Sequence, residues 1–228
     1  MPKNLDGSRV GPYFIGKEIF ETEDSVIYAA DNSLTCQKCA VKFFKKGKRS
    51  SETIHNEVDI INEIKSPYIV QINNIYPEIH EEFDISLVMP LAKSDAYEFF
   101  IKNGHKEENI VSQAIFSVLN ALQRLHGIGI IHRNISPENI LIMDNYTAKN
   151  SFVLTGFSNA ASFTPGQKFT EFNVGSSQYN SPEIHLKKEC LFYFNNSYIQ
   201  NLKNRYFLFK NFNQKLCSTI QLFQNKLK

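Results

Sequence analysis

The polar chemistry of this chain concentrates in one stretch with an apolar frame, Ile131-His132-Arg133-Asn134-Ile135-Ser136-Pro137-Glu138-Asn139-Ile140-Leu141-Ile142. Asn134 cannot hold a proton at neutral pH, although its amide oxygen accepts hydrogen bonds. Taken singly, Lys42 and Glu57 read as solvated surface charges. The segment Phe20-Glu21-Thr22-Glu23-Asp24-Ser25-Val26-Ile27 reads as a structural β-turn, and its three acids would repel a polyanion. Cys36-Gln37-Lys38-Cys39 is a lone CxxC. A zinc site needs a second ligand pair that the sequence does not supply, so Cys39 reads as a small apolar strand residue.

The elements that must carry these residues follow from hydrophobic periodicity. Tyr13–Ile19, Val26–Ala30 and Cys39–Phe44 are β-prone runs separated by polar turns. Ile54, Val58, Ile61 and Ile64 recur at three- and four-residue steps and predict a helix over 51–65. Strands are expected over 69–75 and 84–89, the second entering Pro90 directly. Ile110, Ala114, Ile115, Val118, Leu119, Leu122 and Leu125 mark one side of a helix over 108–126, with Gly127 as its stop. Short strands follow over 140–143 and 152–155. Five strands with one inserted helix, then mostly helix, make an α+β chain with a small β-rich lobe joined to an α-rich lobe near Pro90-Leu91-Ala92.

With 42% hydrophobic residues over 228 positions, the chain can bury a large core as one domain or two lobes. A net charge of +2 is too small and dispersed for nucleic acid to be the main partner. No run of 18 apolar residues predicts a membrane span. The start, Met1-Pro2-Lys3-Asn4-Leu5, lacks the apolar core of a secretory signal, which implies an intracellular, cytoplasmic protein.

In order and spacing these motifs resemble the eukaryotic protein kinase superfamily over residues 13–183, with Ser136-Pro137-Glu138-Asn139 nearer the Ser/Thr than the Tyr version. The stretch at 131–142 resembles the catalytic loop, with Asn134 at the catalytic aspartate position and Asn139 at a magnesium-ligand position. Lys42 matches the lysine that holds the nucleotide's α and β phosphates, and Glu57 matches the helix glutamate that pairs with it. Gly156-Phe157-Ser158 stands where the family has Asp-Phe-Gly, with Gly156 at the metal-binding aspartate position. By the same resemblance Ile27, Ala40 and Leu141 would flank adenine, Met89 would be the gatekeeper and Ala92 would present backbone groups to the ring. Ile61, His132 and Phe157 would stack as part of an apolar spine, and Gly175 to Glu183 would close the activation segment. The resemblance implies a bilobal kinase-like fold, an antiparallel β-rich N-lobe with one helix plus a C-lobe, with ATP and Mg²⁺ as cofactors.

The departures decide the functional expectation. General-base assistance is worth roughly 10²–10⁴ in rate, and Asn134 cannot supply it. Ser136 removes the positive charge of the lysine usual in Ser/Thr kinases, and Gly156 offers Mg²⁺ no oxygen from a side chain. The three glycine positions of the phosphate-covering loop carry Phe20, Thr22 and Ser25, which keep a backbone from approaching phosphates closely. A pseudokinase that binds protein partners, with weak or no Mg–ATP binding, is the expectation. The competing readings are an active ATP-dependent Ser/Thr kinase and a non-functional truncated fragment.

Residues 1–12 read as an N-terminal tail, 13–90 as the N-lobe and 91–183 as a partial C-lobe. Residues 184–228 carry seven Lys, one Arg and nine Phe or Tyr against the single acid Glu189, a composition foreign to the family. With no Trp in the chain, the family's late Asp-x-Trp-Ser-x-Gly element is missing, and the C-lobe is expected to be incomplete. The tail either folds onto that lobe or reflects an altered reading frame.

Overall fold

The structure is a computed structural model that describes residues 5–102, 108–143, 151–164, 168–169, 174–180 and 190–191. Pro182 and Glu183, and the basic aromatic tail except Cys190 and Leu191, lie outside the described residues. The chain divides into two compact units, residues 1–65 with 70–92, and residues 66–69 with 93–228.

The first unit is an antiparallel six-stranded sheet with one helix. Its strands are β1 (Arg9–Val10), β2 (Tyr13–Glu21), β3 (Ser25–Asn32), β4 (Lys38–Lys45), β5 (Asn74–His80) and β6 (Phe83–Pro90), in the order β1-β2-β3-β4-β6-β5. Side chains alternate across β4, as the two-residue period requires. Cys39, Val41 and Phe43 join a core with Tyr13, Ile15, Val26, Tyr28, Phe83 and Val88. Ala40, Lys42 and Phe44 therefore take the other face, where Phe44 packs with Leu87 and with Ile54 and Val58 of α1 (Ser51–Glu63). Ser50 caps α1 by accepting a hydrogen bond from the Thr53 N–H at 3.2 Å. Pro77 lies on β5, the edge strand of the sheet, where proline is tolerated.

One strand expectation is corrected. The run 69–75 does not form a strand; β5 starts at Asn74, and Ile69 makes only an isolated parallel bridge to Leu154. Ile69 belongs to the second unit and Val70 to the first, so one ladder cannot use both. The Gln71 side chain also donates to the Ile64 carbonyl at 3.2 Å, satisfying an acceptor at the C-terminal end of α1.

The second unit contains β7 (Ser94–Asp95), a π-helical segment (Tyr97–Lys102), α2 (Glu108–Gly127), β8 (Ile130–Ile131), β9 (Ile140–Ile142), β10 (Phe152–Leu154), β11 (Ala161–Ser162), β12 (Lys168–Phe169) and β13 (Cys190–Leu191). The small sheets are β10-β9-β7, β11-β8 and β12-β13. All seven stripe positions of α2 are buried, and the helix packs against β8 and β10. The helix ends at Gly127, one residue past the expected 126, and the left-handed turn falls at Gly129 (φ +74°). Among the described residues no helix is long and apolar enough to cross a membrane.

Near the end of α2, burial pushes the His126 imidazole down to about 4, because a desolvated ring resists charging. The unfolded ring titrates near 6.5, so the neutral ring's contribution to stability is complete above about pH 6.5 and is lost as pH falls toward 4. Urea unfolding between pH 7 and 4 should show a loss on the order of 3 kcal/mol from this group. A His126→Gln variant should have a flatter pH slope, and an identical slope would contradict the assignment.

Candidate functional site

In the first unit, periodicity delivers two charges to one face. Lys42 lies on the α1-facing side of β4, and Glu57 is carried inward on the buried stripe of α1 beside Ile54 and Val58. Lys42 Nζ donates to Glu57 Oε1 at 2.7 Å, and the Arg49 guanidinium donates to Glu57 Oε2 at 2.8 Å. The Glu57 side chain is 4% exposed and those of Lys42 and Arg49 are 12% exposed. Burial opposes ionisation of Glu57, yet the Lys42 ammonium and the Arg49 guanidinium hold its carboxyl below the ordinary glutamate value. The Phe44 ring lies beneath both cations, 4.4 Å from Lys42 Nζ and 5.9 Å from Arg49 Cζ.

Three further sequence candidates share this face. Ile27 is the cross-strand partner of Lys42, and Ala40 is that of Met89, so Ile27, Ala40, Lys42 and Met89 line one side of the sheet. Ala92 follows β6, partly buried, as the last residue of the unit. Sequence reasoning missed Arg49. It ends the basic run Lys45-Lys46-Gly47-Lys48-Arg49, and nothing in that run separates it from solvated charge.

Across the β2–β3 connection, Thr22-Glu23-Asp24-Ser25 forms the β-turn expected there. The Thr22 N–H donates to Ser25 O at 2.8 Å, and the Ser25 N–H donates to Thr22 Oγ1 at 3.0 Å. The Thr22 hydroxyl donates to Asp24 Oδ1 at 2.6 Å. Burial raises the Asp24 carboxyl's proton affinity, but the Thr22 hydroxyl, Arg49 and Lys42 outweigh it and leave the group below its ordinary value.

In the second unit the catalytic-loop candidates form a tight network of neutral groups. His132 Nε2 lies 2.8 Å from the Thr155 carbonyl, and the Asn134 N–H donates to His132 Nδ1 at 3.3 Å, a pattern that assigns the proton to Nε2. The His132 ring meets Phe157 edge-on, with centroids 4.8 Å apart. Arg133 takes a left-handed φ of +61°, and its Nε donates to Asn159 O at 2.5 Å. Asn134 Oδ1 accepts from the Ser176 N–H at 3.0 Å and the Ser176 hydroxyl at 3.1 Å. Asn139 Nδ2 donates to Asn134 O at 2.9 Å. Gly156 takes φ +80°, and a Cβ there would collide with the Asn139 carboxamide. Leu141 pairs with Val153 and Asp95 in the β10-β9-β7 sheet.

This donor set does not suit Mg²⁺, which favours several hard oxygens including a carboxylate. Asn139 offers one amide oxygen, and the space beside Gly156 is taken up by the Asn139 side chain itself. Among the described residues no group of three or more His, Cys, Asp or Glu side chains could hold a metal ion. Cys36 is exposed, whereas Cys39 is buried with its Sγ 3.4 Å from Ala30 O. Burial pushes the Cys39 thiol up to about 11, in keeping with a small apolar role rather than ligation.

Residues 13–192 match the family model described as "Protein kinase domain", and the chain belongs to that family. It is similar to calcium-dependent protein kinase 12 of Arabidopsis thaliana, 27% identical over 78% of this chain and 37% of that protein. It is likewise similar to serine/threonine-protein kinase DCLK2 of Homo sapiens, 29% identical over 80% of this chain and 24% of that protein. Serine/threonine-protein kinase DCLK1 of Rattus norvegicus is 30% identical over 75% of this chain and 39% of that protein. The chain thus spans between about a quarter and two fifths of the length of these relatives.

Replacing Glu57 by Gln should leave two nearly buried cations facing a neutral amide. The expected loss is about 3 kcal/mol at pH 7, read by denaturant unfolding. Because the folded carboxyl titrates below its unfolded value, its contribution is complete above the ordinary glutamate pKa of about 4.3 and vanishes as pH falls through the folded value. The gap between wild type and Glu57→Gln should therefore narrow in strong acid. In the second unit, Gly156→Ala should cost about 1–3 kcal/mol through its left-handed φ and the displaced Asn139.

Proposed function

We propose that this protein-kinase-family domain works as a pseudokinase, a module that engages protein partners inside the cell and binds Mg–ATP weakly or not at all. The observation carrying this reading is the replacement of both catalytic carboxylates by neutral groups that are already engaged. Asn134 at the catalytic-base position accepts two hydrogen bonds from Ser176, and Gly156 at the metal position abuts the Asn139 carboxamide. An amide neither takes a substrate proton nor offers a metal the charge of a carboxylate. Within this reading the kinase-like body spans residues 13–183. Ile27, Ala40, Met89, Ala92 and Leu141 are kept as apolar packing groups of a former nucleotide site, with Lys42 and Glu57 as its surviving ion pair.

The alternative is an active kinase that transfers the γ-phosphate of ATP to Ser or Thr hydroxyls, as the printed names of the relatives indicate for those proteins. The 2.7 Å Lys42–Glu57 pair favours it, because that pair is a requirement of the active family geometry. A radiolabelled-ATP assay with a mixed Ser/Thr peptide substrate separates the two. The pseudokinase reading predicts incorporation at background level, equal in the wild type and in Lys42→Ala. Transfer above background that disappears in Lys42→Ala would establish the enzyme instead.

A further inference from the structure

The connector from β4 into α1 carries the run Lys45-Lys46-Gly47-Lys48-Arg49, and Ser50 and Ser51 follow it. Its cations divide into two kinds. Lys45 and Arg49 are turned into the fold, Lys45 Nζ lying 2.6 Å from Glu21 Oε1 and Arg49 lying between Glu57 and Asp24. Lys46 and Lys48 are exposed. Lys48 Nζ lies 3.8 Å from Glu23 Oε1, a contact between two exposed side chains that contributes little.

The two serines, both exposed, are not equivalent. Ser50 Oγ accepts the Thr53 N–H at 3.2 Å and lies 2.7 Å from Thr53 Oγ1, so this hydroxyl is engaged as the cap of α1. Ser51 is the first residue of the helix. Its Oγ lies 3.2 Å from His55 Nδ1, while the same nitrogen lies 2.7 Å from Ser51 O. The shorter contact takes the ring proton and leaves the Ser51 hydroxyl at the long end of hydrogen-bond range.

The segment around Ser51 can also open at small cost. From Lys46 to Thr53 every residue is exposed except Arg49, and Ile54 is the first buried apolar side chain of α1. The bonds that close it are long ones at solvent-facing ends. The Lys48 N–H donates to Lys45 O at 3.3 Å, and the Ile54 N–H donates to Ser50 O at 3.2 Å. Such ends open locally without unfolding the core.

We propose that Ser51 is a phosphorylation site for a separate Ser/Thr protein kinase with an acidic peptide groove, which reads Lys48 and Lys46, three and five residues upstream. The Ser51 hydroxyl oxygen bonds to the γ-phosphorus of ATP as the bond from that phosphorus to the bridging oxygen breaks. ADP leaves with the bonding electrons, and the hydroxyl proton passes to a base of the visiting enzyme. The folded chain accommodates the product, because the phosphate stands beside His55, just downstream of Lys48, and gains charge-assisted hydrogen bonds there. Glu23, Asp24 and Glu57 each already face a cation, and Glu52, the next residue, diverges from Ser51 on the helix surface. This site rests on the first unit alone and goes beyond the pseudokinase reading.

The test is incubation of the full 228-residue chain with Mg–ATP and the catalytic subunit of cyclic-AMP-dependent protein kinase, an Arg/Lys-directed enzyme, with phosphate located by mass spectrometry. Ser51 should be modified, Ser51→Thr should still accept at that position, and Ser50→Ala should keep the Ser51 phosphate. Lys46→Gln/Lys48→Gln, which changes two exposed side chains, should slow incorporation at Ser51 about tenfold. Circular dichroism checks that each variant folds. An unmodified Ser51 in the wild type, phosphate on Ser50 in its place, or an unchanged rate in the double variant would overturn the proposal. The phosphorylated chain should also unfold at higher urea than the unmodified chain at low ionic strength, with the gain gone in about 0.5 M salt. A lower midpoint would overturn the accommodation of the phosphate. The added enzyme supplies the transfer, so phosphate appearing in its absence would contradict the pseudokinase reading separately.

Discussion

A buried carboxylate shared by two cations organises the first unit. Glu57 enters a nearly water-free position only because Lys42 takes one of its oxygens and Arg49 the other. An unpaired charge at that depth would cost several kcal/mol, so the two contacts are conditions for placing the helix rather than ornaments on it. They join three parts of the chain, namely the central strand β4, the connector after it and α1. The Phe44 ring beneath both cations belongs to the same apolar layer as Ile54, Val58 and Leu87, so packing and charge pairing fix one geometry.

The second unit is built on the opposite electrostatic principle. His132, Asn134, Asn139, Thr155 and Ser176 are linked by hydrogen bonds between neutral groups, and Arg133 is the cation that joins them, through Asn159 O. Such a network needs no metal or counterion to offset repulsion, and Asn134 Oδ1 already accepts two hydrogen bonds from Ser176. Membership of the family states how the chain folds, and function has to be argued from the residues of the site.

Much of this was legible in the residues. Periodicity located β2, β3, β4, α1 and α2 because each has one face buried against a core. It failed at 69–75, where apolar residues serve two units, and it placed the end of α2 within one residue of Gly127. The Lys42–Glu57 pair was implied by motif resemblance, but Arg49 was not. A guanidinium in a basic run gives no sign of burial until the fold supplies a carboxylate and an aromatic face. The acids of the β2–β3 turn were read only as repulsive toward an incoming anion. Their pairing with Lys45, Lys48 and Arg49 is a long-range fact that no local pattern encodes.

The central claim is that a neutral Asn134 and a Gly156 without a side chain leave the domain without a magnesium–nucleotide grip. The most direct measurement is the unfolding temperature of the purified chain across an ATP titration, with and without Mg²⁺, because a ligand that prefers the folded state raises it. The account predicts no magnesium-dependent rise at millimolar ATP. A saturable, magnesium-dependent increase would contradict it.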